Sequence, residues 1–214
     1  MDLSLTEPQA MLRSAARGFI EREAPRHAIV ALQRAESSLV PELWRKASEL
    51  GWLGILVPSE YGGSESSVTD AAVLYEELGR GPLPGPFFSS GVLGALTVME
   101  SAGEAQRRAI LPRVARGEAV LSVAITEPNT SWGSQGVTLR PQRLGDRYRL
   151  DGTKLFVSDA TAATDLIVAL RTGDGAGDVS LLLVDARAPG VRARRLSGFL
   201  SWPCEVTCSV DVVE

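Results

Sequence analysis

Two separated segments of this 214-residue chain carry residue types suited to holding a flat heteroaromatic ring: Val123-Ala124-Ile125-Thr126-Glu127-Pro128, and Asp151-Gly152-Thr153-Lys154-Leu155-Phe156-Val157-Ser158. Such a ring needs an apolar or aromatic contact over its plane and hydrogen-bond donors at its edge, which Phe156, Ser158 and the backbone and hydroxyl of Thr126 could supply. Strand alternation predicts Lys154, Phe156 and Ser158 on one face, with the aromatic ring and the hydroxyl about 7 Å apart. On pattern alone, packing of an ordinary half-buried hairpin accounts for these residues more simply.

Other chemistries lack their residues. There is no Gly-x-Ser-x-Gly elbow, no phosphate loop and no His-Glu-x-x-His helix. The single histidine, His27, is distant in sequence from Cys204 and Cys208, so neither a zinc cage nor a disulfide framework is supported and no metal site is expected. His27 reads as a surface residue. Arg187, Arg192, Arg194 and Arg195 could meet an anion, although a solvated strand face explains them more simply. Net charge is -4, and basic and acidic residues number 12 and 15 through Glu118, then 10 and 11 beyond it. With no basic stripe, nucleic acid is not an expected partner. The start, Met1 to Glu7, lacks a basic, apolar leader, and no stretch reaches the roughly 18 apolar residues of a membrane span, so a cytoplasmic location is expected.

The elements that must position the ring-binding candidates fall into two periods. From Thr6 to about Glu118 the pattern is helical. Thr6 and Gln9 form a capping box, and Met11, Leu12, Ala15, Ala16, Phe19 and Ile20 share a face that ends before Pro25. A second helix runs from Pro41 through Leu43, Trp44, Ala47 and Leu50 to Gly51, and a third is capped by Ser67 and Asp70 and stops at Gly79. Further helical segments cover 87–101 and 104–116. After Gly117 the period becomes 2. Strands are predicted over 120–126, 147–150, 153–157, 165–170, 179–184, 191–195 and 205–213. Asp151-Gly152 is expected as a hairpin turn and Gly145-Asp146 as the turn before it, giving a three-stranded meander. The fold class is therefore α+β: an all-α helical domain over 1–117, then a small β-barrel or sandwich over 118–214.

Several motifs, in order and approximate spacing, resemble the acyl-CoA dehydrogenase family of flavoproteins. They are the Pro58-Ser59-Glu60-Tyr61-Gly62-Gly63 loop, the helical run Gly103 to Pro112 followed by Arg116-Gly117-Glu118, Thr126-Glu127-Pro128, and Asp151-Gly152-Thr153-Lys154. The resemblance covers the whole chain. It implies an N-terminal helical domain, a middle β-barrel and FAD in a cleft between that barrel and a C-terminal helical bundle. Carried over by motif, Ile125 and Thr126 face the flavin edge, with Thr126 near N5 or O4. Phe156 stands in for a frequent tryptophan against the isoalloxazine, Val157 follows it, and Ser158 stands in for a usual threonine. Ser134 is the candidate for the FAD pyrophosphate or the CoA side. Here the chain departs from the family: Asn129 to Gln135 replaces Gly-Ser-Asp with a loop two residues longer, and Trp132 has no counterpart.

The resemblance further implies desaturation of an acyl-CoA substrate, electrons passing to an electron-transfer flavoprotein-type acceptor, and a homo- or hetero-oligomer. Cys204 to Glu214 resembles the last strand of the middle domain. The family's C-terminal four-helix domain, with the glutamate that removes the α-proton, is expected to be absent from this sequence, so no catalytic residue is assigned. Glu127 reads as a structural or loop-setting residue. Two alternatives accompany the enzyme reading: a catalytically silent short paralogue that binds or assembles with a complete subunit, and the same fold turned to flavin monooxygenase or nitroalkane oxidase chemistry.

Overall fold

A computed structural model describes residues 4–25, 38–129, 131, 133–197 and 203–213. The readings on His27 and Trp132 lie outside the described residues. Among those described, no helix is long and apolar enough to cross a membrane.

Helix α1, Glu7–Glu23, begins at the expected Thr6/Gln9 capping box, and α3, Val68–Arg80, begins at the reciprocal Ser67/Asp70 box. The two caps are joined, because Gln9 Nε2 donates to Asp70 Oδ1 at 2.9 Å. Further along, the same helices meet at Glu77. Its carboxylate, 1% exposed, accepts a two-pronged bond from Arg17 at 3.0 and 2.6 Å and another from Arg80 Nε at 2.8 Å. Arg17 first, then Arg80, hold the Glu77 carboxyl down at about 2, against the drag of desolvation. Helix α2, Pro41–Glu49, adds Leu43, Trp44 and Ala47 to a core with Ala16, Phe19, Ile20, Trp52 and Leu74. Phe19 meets Trp52 edge to face, with ring centroids 4.9 Å apart. Met11 and Ala15, expected inward, are instead exposed, because the buried stripe of α1 narrows to Ala16, Phe19 and Ile20 where α3 covers it; Leu50, which caps the end of α2, is exposed as well.

The glycine loop packs tightly on itself. Gly62 takes a left-handed φ of 81°, while a Cβ at Gly63 would stand 2.0 Å from the Val57 carbonyl oxygen. The predicted helix over 87–101 divides into a wide π-helical segment, Phe87–Gly94, and an α-helix, α4, Ala95–Ser101. Gly94 permits that segment to touch the sheet, since a Cβ there would lie 2.5 Å from Leu121 Cβ. Helix α5, Glu104–Ala115, completes the helical part.

Among the described residues, seven strands form two sheets. In the first, β1 (Leu121–Ala124) runs parallel to β4 (Asp165–Arg171), which pairs antiparallel with β5 (Val179–Asp185). The second has the order β2 (Gln142–Leu144), β3 (Arg147–Ser158), β7 (Pro203–Val213), β6 (Val191–Arg195), antiparallel throughout. One core joins their inner faces, with Ala124, Leu166 and Val168 from the first and Leu150, Val206 and Val210 from the second. The other face of the first sheet packs on helices, Leu121 and Ile167 sharing a cluster with Leu111 and Val114. Strands β1 and β4 are thus covered on both faces, which is why β4 reads as an unbroken apolar run from Leu166 to Leu170 and β1 is apolar apart from Ser122. Among the described residues the sheets do not close into a barrel; the arrangement is the sandwich alternative.

The hairpin expected at Asp151-Gly152 is absent. Strand β3 passes straight through it, pairing Asp151 with Ser209 and Gly152 with Cys208. Gly152 serves close approach, as its Cβ would fall 2.6 Å from Leu139 Cδ1. The turn is at Gly145-Asp146 alone, with Gly145 at φ 68°, so the meander reduces to one hairpin.

Two predictions follow from these contacts. Gly62→Ala should cost about 1–2 kcal/mol, the strain of a left-handed alanine, whereas Gly63→Ala should cost more, at about 3 kcal/mol, because the chain must move off the Val57 carbonyl; urea unfolding of the two variants checks the order. The Glu77 carboxyl is held below its ordinary 4.5 in the folded chain, so its contribution is complete above that pH and fades as pH falls toward 2. Unfolding midpoints measured from pH 6 to pH 2.5 should fall less steeply in Glu77→Gln than in the unaltered chain.

Candidate cofactor site

Where β1 ends at Ala124, the chain leaves its sheet and crosses beside β3. Leu155 N–H donates to the Thr126 carbonyl at 2.8 Å, and Lys154 Nζ donates to the Ile125 carbonyl at 3.1 Å. At this crossing β3 is bulged: its pairing with β7 is regular to Lys154 opposite Val206, then resumes at Val157 opposite Cys204. The extra residue is accommodated by Phe156 in the left-handed region, φ 56°, an uncommon conformation for a bulky side chain.

The bulge overturns the predicted alternation. Lys154 and Phe156 do not share a face: Lys154 is 1% exposed and points inward, whereas Phe156 is 60% exposed. Val157 turns into the core, at 1% exposure, and offers a ligand only its backbone. Ser158 is exposed, and its carbonyl accepts from Ser122 Oγ at 2.6 Å. Ile125 is also exposed, at 47%. The structure thus brings Ile125 and Thr126 beside the Phe156 to Ser158 strand end. Among the described residues, the Thr126 and Ser158 hydroxyls have no protein partner.

Ser134 stands apart. It lies in a single turn, Ser134–Gly136, and its carbonyl accepts from the Arg171 guanidinium. Arg171, 8% exposed, also donates to the Val137 carbonyl at 2.9 Å and the Gly175 carbonyl at 2.7 Å. It therefore anchors both walls of an open cavity of about 360 Å³ whose lining includes Gln135, Thr138, Arg140 and Asp174. Of the arginines considered for an anion, Arg194 pairs with Glu205 at 3.2 Å and Arg192 stands opposite Thr207 on edge strand β6.

Glu127 is 5% exposed and occupied on both oxygens. Oε1 accepts from Leu139 N–H at 2.9 Å and Lys154 Nζ at 2.7 Å; Thr138 N–H is 3.0 Å from each oxygen, and the Thr138 hydroxyl bonds Oε2. Burial opposes the Glu127 charge, but Lys154, Thr138 and the Leu139 N–H outweigh it and hold the carboxyl below the usual range. Burial pushes Lys154 down, with Glu127 offsetting part of that shift. Lys154 and Arg171 were not legible as organising residues. A charged side chain in a strand or at its end carries no signal of burial in the sequence, and the acceptors of both residues, the Glu127 carboxylate and backbone carbonyls, come from elsewhere in the chain.

Past the rim, Asp159 is again left-handed, φ 58°, and accepts from Ser89 Oγ of the π-helical segment at 2.7 Å. Ser90 Oγ next to it accepts from Leu121 N–H at 3.0 Å. Burial pushes the Asp159 carboxyl up. These bonds tie the helical part to the strand end that carries Phe156.

An exposed aromatic ring and an exposed isoleucine, with the Thr126 and Ser158 hydroxyls on the adjoining residues, match a ring that is apolar over its plane and polar along its edge. A flavin isoalloxazine has that character, so the donor set fits the cofactor that the motifs imply.

Comparison with known proteins identifies the family. The family model for the acyl-CoA dehydrogenase N-terminal domain matches residues 6–118, and that for the acyl-CoA dehydrogenase middle domain matches residues 122–208. The probable acyl-CoA dehydrogenase YngJ of Bacillus subtilis is 32% identical over 196 residues, covering 89% of this chain and 51% of that protein. A putative acyl-CoA dehydrogenase from Mycobacterium smegmatis superposes with a TM-score of 0.85 at 32% identity, over 99% of this chain and 57% of the other. The ChsE4-ChsE5 complex from Mycobacterium tuberculosis gives a TM-score of 0.82 at 25% identity, over 100% of this chain and 56% of that one. The chain spans about half the length of the curated relatives it matches. With two consecutive family models covering nearly its whole length, the chain belongs to the acyl-CoA dehydrogenase family.

Proposed function

We propose that this chain is the cofactor-holding part of an acyl-CoA dehydrogenase-type flavoprotein, with a helical unit over 1–117 and a sheet unit over 118–214. The observation that carries the reading is the rim at the β3 bulge, where Phe156 is exposed beside Ile125 and Thr126. FAD, when bound, supplies a two-electron acceptor for the hydride that leaves the β-carbon of an acyl-CoA thioester. Phe156 covers the plane of the ring and keeps water from it, with Ile125 and the Val157 backbone alongside. Thr126 and Ser158 donate to its polar edge, and Ser134 serves the pyrophosphate or the CoA side. In this reading the acceptor of the electrons would be of the electron-transfer flavoprotein type.

The rim provides no base for the α-proton. Glu127 has both oxygens bonded inside the protein, and Asp159 is committed to Ser89. A carboxylate that removes the proton while the thioester carbonyl is polarised must therefore come from residues other than these. A second reading, in which the chain assembles with a complete homologue and catalyses nothing itself, is favoured by its likeness to a chain of the ChsE4-ChsE5 complex.

Titration with FAD, followed by flavin fluorescence and the visible absorption band, tests the first reading. The unaltered chain should quench and shift the flavin. Phe156→Gly relieves a left-handed side chain, so its unfolding midpoint should not drop, yet its FAD affinity should fall by about tenfold through loss of the aromatic face. Equal affinity in Phe156→Gly would remove Phe156 from the site. No flavin response from the unaltered chain, together with a stable complex formed with a full-length homologue, would leave the assembly reading.

A further inference from the structure

Lys154 stands immediately before the bulge, and its surroundings suggest a role beyond cohesion. We propose that Lys154 is a positioning residue, whose buried ammonium bridges the Ile125 carbonyl and the Glu127 carboxylate and so sets, before any ligand arrives, where the Thr126 edge lies relative to the Phe156 face. This inference rests on the flavin reading of the rim.

The geometry supplies three arguments. First, the two strands that carry the rim belong to different sheets, β1 to one and β3 to the other, so no shared ladder sets their spacing. Second, Leu155 and Phe156 have no register partner in β7, the ladder being broken between Lys154 and Val157. At that break the Leu155 N–H crosses to the Thr126 carbonyl at 2.8 Å, and Lys154 Nζ reaches Ile125 O at 3.1 Å and Glu127 Oε1 at 2.7 Å. The Ile125–Thr126 peptide and the Thr126–Glu127 peptide after it are therefore both fastened to β3 where β3 has left its own partner. Third, Glu127 passes the constraint onward through Thr138 and Leu139, closing both ends of the 128–137 loop that contains Ser134.

A buried ion pair is a poor source of net stability, because desolvation of both charges offsets much of their attraction; well-packed apolar residues often serve as well. Two fixed charges with directional acceptors do supply geometry, since an ammonium aimed at a carbonyl and a carboxylate tolerates little displacement. Preorganised donors and faces lower the cost of ordering a ligand. At this site Lys154 touches no exposed surface, so its effect on a ligand is carried by Ile125, Thr126 and Glu127.

The test uses the 214-residue chain and the double variant Lys154→Met with Glu127→Gln. The amide retains acceptors for the Thr138 and Leu139 N–H groups, and no unpaired charge is left behind. The double variant should unfold cooperatively, bind FAD about tenfold more weakly, as expected for the loss of one charge-assisted bond, and alter the visible circular-dichroism band of the bound flavin. Wild-type affinity and an unchanged flavin band in the folded double variant would overturn the positioning role while leaving the flavin reading intact. Hydrogen exchange on the unaltered chain is independent of the variant's folding. The amides of Leu155, Thr138 and Leu139 should be protected before FAD is added; protection that develops only with FAD would overturn preorganisation. An unaltered chain that binds no FAD, even with those amides protected, would overturn the flavin reading and the positioning role with it.

Discussion

The break in the β3–β7 ladder between Lys154 and Val157 is the constraint on which the rest of the site depends. A regular strand would alternate Lys154 and Phe156 onto one face, burying both or exposing both. One extra residue in left-handed conformation separates them, so the lysine enters the core and the aromatic ring faces outward. The same break frees the Leu155 N–H to bond across to Thr126. Strain at Phe156 and charge burial at Lys154 are both unfavourable locally. They persist because regular pairing on either side, from Arg147 to Lys154 and at Val157 and Ser158, over-determines the backbone.

Around that break the helical part serves as a scaffold with short reach. Small residues in the π-helical segment let it approach β1, and two of its serines, Ser89 and Ser90, meet Asp159 and Leu121 across the seam. Trp44 adds a distant tie, its indole N–H donating to the Gly117 carbonyl at 2.9 Å. The seam is polar in its hydrogen bonds and apolar in its filling, since Leu121 and Ile167 share a cluster with α5. Such mixed contacts hold one orientation better than apolar packing alone, because a slipped seam would leave buried hydroxyls and N–H groups without partners.

Local chemistry written in consecutive residues was legible without a structure. Both capping boxes, the turn at Gly145-Asp146, the period change after Gly117 and the strands after Asp165 follow from spacing and side-chain type, and the structure shows them. The family was legible as well, because its motifs are contiguous. Asp-Gly at 151 misled for a physical reason: the pair suits a two-residue turn, but eleven residues of β7 lie alongside and extend β3 through it. Met11 and Leu50 misled because a helical period locates a stripe without locating the width of the neighbour that covers it.

The sequence by itself therefore determined most of the elements, the two helix caps at Thr6 and Ser67, the family and the residue types available to a flat ring. Tertiary structure alone decided which of those residues face outward, that Lys154 is buried against Glu127 and Ile125, and that Arg171 holds the Ser134 turn. The reason lies in range. Caps and turns are settled by groups three or four residues apart, whereas the direction of Phe156 depends on a pairing with β7 some fifty residues away, and the burial of Lys154 depends on acceptors nearly thirty residues earlier.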